Sequence, residues 1–179
     1  MLKLFSKLLS THSHTTALNI DPQQVHASKE PTGQALLKTI RALYGGRSLR
    51  IRHVDAGSSN AEEFELTATG NTFYDIEQYG ISFVASPRHA DILTVSGPVT
   101  RNMEHAVLTA YTMMPNPKCV IAVGDGACTG GIWNDSYAVI GAVDKVIPVD
   151  YRIPGDPPSP HVFITGLLTA IHTANDNRT

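Results

Sequence analysis

Three glycine- and proline-rich stretches hold most of the residues in this 179-residue chain that could do chemistry. They are Asp55-Ala-Gly-Ser-Ser-Asn-Ala-Glu-Glu63, Gly124-Asp-Gly-Ala-Cys-Thr-Gly-Gly131 and Asp150-Tyr-Arg-Ile-Pro-Gly-Asp-Pro-Pro-Ser-Pro160. If Glu62, Asp125 and Asp156 converge, their hard oxygens suit Mg2+ or Ca2+, or mutual repulsion makes one of them titrate near neutrality. The alternative is that these acids face solvent or cap loops and helix N-termini. The second stretch has the glycines of a phosphate-binding loop but lacks its Gly-Lys-Ser/Thr ending. Cys119 and Cys128 are the only thiols; two thiols point to a reducing compartment and cannot build a four-cysteine site within one chain. His12, His14 and His26 are irregularly spaced without neighbouring acids or thiols, and His53, His89, His105 and His161 are scattered, so no metal site is expected from them. No hydrolase nucleophile elbow is present. Trp133 and Tyr137 read as core or interface aromatics rather than a substrate cage.

The elements that must position these stretches alternate. Strand-length apolar runs occur at Leu49–Val54, Ile81–Ala85, Asp91–Ser96, Lys118–Gly124 and Lys145–Val149, the third and fourth being nearly continuous, as strands covered on both faces are. Helical period marks Gln34–Tyr44, which stops at Gly45-Gly46, and also Asn102–Tyr111 and Phe163–Ile171. Strands alternating with helices predict an α/β fold: a flavodoxin-like parallel sheet with helices on both faces. Ligands of such sheets sit beyond the strands' carboxyl ends, which is where the three stretches fall.

The length suits one domain, expected over residues 33–179. Residues 1–32 read as an N-terminal amphipathic helix and a polar, Pro-interrupted arm. In residues 1–10, Leu2, Phe5, Leu8 and Leu9 share one face, with Lys3 and Lys7 off it, as in a helix lying on a membrane surface or an apolar partner. No long uncharged apolar run exists, so no bilayer span is expected. A net charge of -2 gives no positive field for phosphate, which argues against nucleic acid as a partner.

The segments Ser86-Pro-Arg-His-Ala-Asp-Ile-Leu-Thr-Val-Ser-Gly-Pro-Val-Thr100, Met114-Pro-Asn-Pro-Lys118, Val123-Gly-Asp125, Thr129-Gly-Gly131 and Val149-Asp-Tyr-Arg-Ile-Pro-Gly-Asp-Pro-Pro158 resemble the small subunit of group 4 membrane-bound NiFe hydrogenases. The same subunit type is the 20 kDa subunit of complex I, the NADH:quinone oxidoreductase. The resemblance runs in order from about residue 50 to 172. It implies a subunit holding one 4Fe–4S cluster through four cysteines. In this chain those positions are Ser59, Glu62, Gly126 and Asp156. Iron–sulfur clusters take soft thiolates, or histidine as a substitute, so no cluster is expected here unless Cys128 serves as a displaced ligand beside Asp156 or Glu62. The family's arginine and glutamate just beyond the fourth position are absent from Pro157-Pro-Ser-Pro-His161 as well.

The resemblance thus implies a non-redox small subunit of a complex I-like or group 4 hydrogenase-like membrane assembly, with a structural or coupling role. Its expected partners are a large-subunit homologue of the hydrogenase or 49 kDa type, which His89 would help to contact, and membrane-arm subunits. Its expected place is the cytoplasmic face of the membrane, touched through residues 1–10. The rival reading is a working oxidoreductase subunit with an atypical iron–sulfur cluster.

Overall fold

The computed structural model describes residues 47–176. The expected helix at residues 1–10, the arm to residue 32 and the Gln34–Tyr44 helix with its Gly45-Gly46 stop lie outside the described residues.

A period of two sorts the central strands onto two apolar faces. On one, Leu49 and Ile51 of β1 (Leu49–Asp55), Ile92 of β3 (Ile92–Ser96) and Cys119, Ile121 and Val123 of β5 (Cys119–Val123) join one core cluster. On the other, Val54, Leu93, Val95, Val120 and Ala122 join a second. All five residues of β3 and of β5 are buried, as their apolar runs predict. With β2 (Ile81–Phe83) and β7 (Tyr151–Ile153), these strands make a wholly parallel sheet in the order β2-β1-β3-β5-β7. Counting only its own strands, that is the 2-1-3-4-5 order of flavodoxin-like folds. Two further strands, β4 (Val99–Thr100) and β6 (Val139–Gly141), pair antiparallel in a separate ribbon.

Helices cover both faces. The first face is closed by Leu66 of α1 (Ala61–Ala68) and by the stripe Phe163, Ile164, Leu167, Ala170 and Ile171 of α4 (Pro160–Asp176). Ser159 and Pro160 start α4 as a cap and first-turn pair, and Gly166 lets it approach β7, since an ideal Cβ there would lie 2.8 Å from Ile153 Cδ1. The second face is closed by Val107 and Ala110 of α2 (Glu104–Met113) and by Ala127 and Cys128 of α3 (Asp125–Thr129).

One expected strand is corrected. Lys145–Val149 forms no strand: Val143–Lys145 is a 3-10 turn, and Pro148 has no N–H to give a ladder. Its apolar pattern reflects burial of Ile147, with Val146 and Val149 packed beside it, against the second face. The edge strand begins at Tyr151, two residues past the end of the expected run. Asp150 bridges the gap: its N–H donates to the Val120 carbonyl at 2.9 Å, and its carboxylate accepts the Val120 N–H at 2.7 Å. The stretch after the fifth strand therefore starts at Pro154 rather than Asp150.

Phe163 is 1% exposed and is among the largest fully buried side chains. Phe163→Ala is expected to cost about 3–5 kcal/mol in urea unfolding, mostly as a lower midpoint at unchanged slope.

Candidate functional site

Because the sheet is parallel, the loops after β1, β3, β5 and β7 all emerge at its carboxyl edge, and side chains lock them to one another. Asp55 Oδ1 accepts the N–H groups of Gly57 (2.8 Å) and Ser58 (2.7 Å), turning the chain sharply out of β1. After β5, the Gly124 N–H donates to Ile153 O and the Asp125 N–H to Gly155 O, both at 2.8 Å, while Asp125 Oδ1 accepts the Gly155 N–H at 2.9 Å. Asp125 thus works as a clamp between two loops.

Between these loops lies a cavity of about 640 Å3, lined among others by Ser59, Glu62, Asp125, Gly126, Trp133 and Asp156. The structure therefore brings Ser59, Glu62, Gly126 and Asp156 to one place. It does so without a thiol. Cys128 sits in the core of the second face with Sγ 3.7 Å from the Ala122 and Ile153 carbonyls, and burial, aided by the charge of Asp125, pushes its thiol up to about 11. Cys119 is buried in the opposite core. Gly126 is also sterically closed: an ideal Cβ there would lie 2.8 Å from Pro98 Cδ, on a rigid ring. Among the described residues, no group of three or more His, Cys, Asp or Glu is placed to hold a metal ion.

Two adjacent glutamates at the start of α1 meet opposite environments. Glu62 is 4% exposed and packs over Gly124, whose lack of a side chain leaves room for it, since an ideal Cβ there would lie 2.6 Å from Glu62 Oε1. Glu62 Oε2 is buried without a hydrogen-bond partner among the described residues. Burial raises its carboxyl above the ordinary 4.5; the negative charges of Glu63, Asp156 and Asp55 add to this, and a backbone hydrogen bond opposes it.

Glu63 faces the other side of the helix start. Burial works to raise it too, but hydrogen bonds win: His53 Nε2 lies 3.1 Å from Oε1, Ser58 Oγ donates to Oε2 at 2.5 Å, and Ser96 Oγ donates to Oε1, together holding the carboxyl at about 2. His53 Nδ1 is 3.0 Å from Thr94 Oγ1, which completes a polar network beneath α1. Sequence reasoning did not assemble it. A signal was there: Thr94 and Ser96 are polar at a spacing of two inside an apolar strand, so they share a face with His53.

Trp133 and Tyr137 are 59% and 91% exposed, and neighbouring Ile132 is 89% exposed, which removes the core reading of these aromatics.

The sheet order and the cavity at its carboxyl edge define a flavodoxin-like α/β domain with a recess at its strand ends. The family model described as NADH ubiquinone oxidoreductase, 20 Kd subunit, matches residues 60–170, and the chain belongs to that family. Formate hydrogenlyase subunit 7 of Escherichia coli K12 is 41% identical over 150 residues, covering 84% of this chain and 57% of that protein, so the chain spans little over half of that relative's length. A probable membrane-bound hydrogenase subunit of Pyrococcus furiosus is 40% identical over 126 residues, covering 70% of this chain and 75% of that one. Among solved structures, a chain of the membrane-bound sulfane sulfur reductase, an archaeal respiratory membrane complex, superposes with a TM-score of 0.65 at 31% identity, covering 80% of this chain and 77% of that one. A chain of an NAD+-reducing NiFe hydrogenase matches in fold, with a TM-score of 0.55 at 18% identity, covering 69% and 92% of the two chains.

The two glutamates should move stability in opposite directions. Glu63 binds its proton more weakly when folded, so its contribution is whole above pH 4.5 and lost as pH falls toward 2. Glu63→Gln is expected to destabilise by about 1.5–3 kcal/mol at pH 7, with the deficit closing on acidification. Glu62 binds its proton more tightly when folded, so its charged form is a burden that grows as pH rises above 4.5. Glu62→Gln is expected to melt higher than wild type at pH 7 and to lose that advantage near pH 4; thermal unfolding across pH 2–8 reads both.

Proposed function

We propose that this chain is a cluster-less small subunit of a complex I-like or group 4 hydrogenase-like membrane assembly, acting as a structural or coupling part between a peripheral module and ion-translocating membrane subunits. The observation that carries this reading is the cavity's donor set. Its four family ligand positions offer a hydroxyl, two carboxylates and no side chain, none of them the soft thiolate that a 4Fe–4S cluster takes. The residues present do not fit the cluster. A reverted thiol at Gly126 would also have to displace Pro98. The buried Cys128 thiol, hydrogen-bonded to two backbone carbonyls and pushed up to about 11, is a poor substitute ligand.

Membership of the family, together with relatives whose names place them in a formate hydrogenlyase, a membrane-bound hydrogenase and a respiratory membrane complex, supports a role inside a membrane assembly. We assign a large-subunit homologue as the main partner, with membrane-arm subunits beside it, at the cytoplasmic face of the membrane. No helix among the described residues is long and apolar enough to cross a bilayer, which accords with a peripheral seat, and the apolar face of residues 1–10 supplies the membrane contact. With no carrier in this subunit, electrons do not pass through it.

The test is the iron and acid-labile sulfide content, with the visible spectrum, of this chain after anaerobic purification of its native complex and separation from its neighbours. Absence of both is expected. Stoichiometric iron and sulfide in the separated chain would overturn the reading.

A further inference from the structure

The same cavity is a negatively charged recess with an apolar mouth. Glu62, Asp125 and Asp156 all line it, and no Lys, Arg or His among the described residues does. The cations nearest in sequence to its mouth are engaged elsewhere: Lys145 Nζ donates to Asn134 Oδ1 at 3.1 Å, Arg101 Nε donates to the Tyr137 carbonyl at 2.7 Å, and Arg152 pairs with Asp144 at 2.8 Å. The Asp125 carboxylate is half-used by the Gly155 N–H. Asp156 is exposed, and Glu62 is 4% exposed with one oxygen lacking any hydrogen-bond partner among the described residues. A buried carboxyl left in that condition, in the field of two further acids, is an unusual feature for a fold to retain when a solvated residue would serve.

Its surroundings supply the second half of the argument. Ile132 and Trp133 line the cavity while remaining 89% and 59% exposed, and Tyr137, four residues on from Trp133, is 91% exposed. Large apolar side chains exposed beside a recessed charge reproduce the anatomy of an interface hot spot. There an apolar contact shuts out water and one desolvated polar anchor fills a pocket. The indole also offers a face to a cation.

We propose that this cavity receives a basic side chain, a guanidinium or ammonium group, inserted by the partner subunit, with Ile132, Trp133 and Tyr137 forming the apolar seal around it. The proposal rests on the reading that the chain docks against a large-subunit homologue, and it specifies which face docks and the chemistry that recognises it. The inserted cation lies among Glu62, Asp125 and Asp156 and supplies the positive charge that they lack, while Trp133 covers it from solvent. The position that a metal cluster takes in the family is thereby filled by a protein–protein contact.

The experiment uses the full-length chain, affinity-tagged and co-expressed with its large-subunit homologue, and measures the dissociation constant of that pair between 50 and 500 mM salt. The Glu62→Gln, Asp156→Asn double variant is expected to bind at least tenfold more weakly and with a flatter salt dependence. Trp133→Ala is expected to weaken binding with the salt dependence kept. Glu104→Gln, at an exposed acid on α2, serves as the matched control and is expected to bind as wild type. Should Glu62→Gln fail to fold, Asp156→Asn alone, at an exposed loop position, carries the same test with a smaller loss. Double-variant binding equal to wild type would overturn the inserted cation while leaving the docking partner in place. A wild-type chain that does not hold a large-subunit homologue at all would overturn the partner reading itself, and the inference with it.

Discussion

The constraint on which the rest of the site depends is backbone contact between loops at the carboxyl edge of the sheet. Gly97, at φ 68, packs so closely against the loop after β1 that an ideal Cβ would lie 2.2 Å from the Ser58 nitrogen. Pro98 follows at once and presses on Gly126, and Gly124 in turn carries Glu62. A side chain at Gly97 or Gly126 would collide with these neighbours, so the loops after β1, β3 and β5 pack closely against one another. The Asp125 clamp on Gly155 adds the loop after β7. The cavity's shape is therefore set largely by the backbone, with Gly126 as the ligand position where an added side chain would disturb it.

That rigidity gives the two glutamates of α1 their opposite characters. They are neighbours in sequence, yet the helix start directs them to different sides, one over Gly124 and one toward β1 and β3. Desolvation acts on both. Glu63 is repaid by three donors from His53, Ser58 and Ser96, which favour its charged form. Glu62 has acids for neighbours and one oxygen with no partner among the described residues, which favours its neutral form or an incoming cation. Burial has the same sign in both, so the difference lies in the hydrogen bonds that Glu63 receives and the acids that surround Glu62.

The alternation of apolar runs with helical periods made the parallel sheet and its two-sided cover legible before any coordinates, because β3 and β5 are short, β-branched and buried on both faces. It also placed the chemistry-bearing stretches at the strand ends. The fifth strand was misplaced for an identifiable reason: Val146, Ile147 and Val149 are apolar through packing, and a side-chain carboxylate, that of Asp150, stands in for a ladder bond. No period reports a substitution of that kind. The short helix α1 escaped notice because its entry residue Asn60 is left-handed, at φ 68, and its first turn is organised by Ser58 rather than by a residue at the cap itself. The opposing fates of Glu62 and Glu63 are not legible in the sequence because they depend on which donors and acids the tertiary fold places beside each carboxylate.

The folding energy of this chain comes from its two apolar clusters rather than from the site at the loop edge. In small metal-dependent domains the bound metal supplies the core that the chain lacks, and loss of the ligands means loss of the fold. This chain is organised otherwise. Its two apolar clusters lie on opposite faces of the sheet and are assembled mainly from the strands and from α2 and α4, with smaller contributions from α1 and α3. Ala56, Val99, Ala127 and Cys128 reach the second cluster from the neighbourhood of the cavity. The edge itself is held by aspartate clamps and glycine contacts, which require no metal. The side chains at the cavity therefore carry little of the load borne by the sheet and its helices. Their contribution is electrostatic: Glu62, Asp125 and Asp156 have no counter-charge from the described residues lining the cavity, and that imbalance is the physical ground of the inserted cation proposed above.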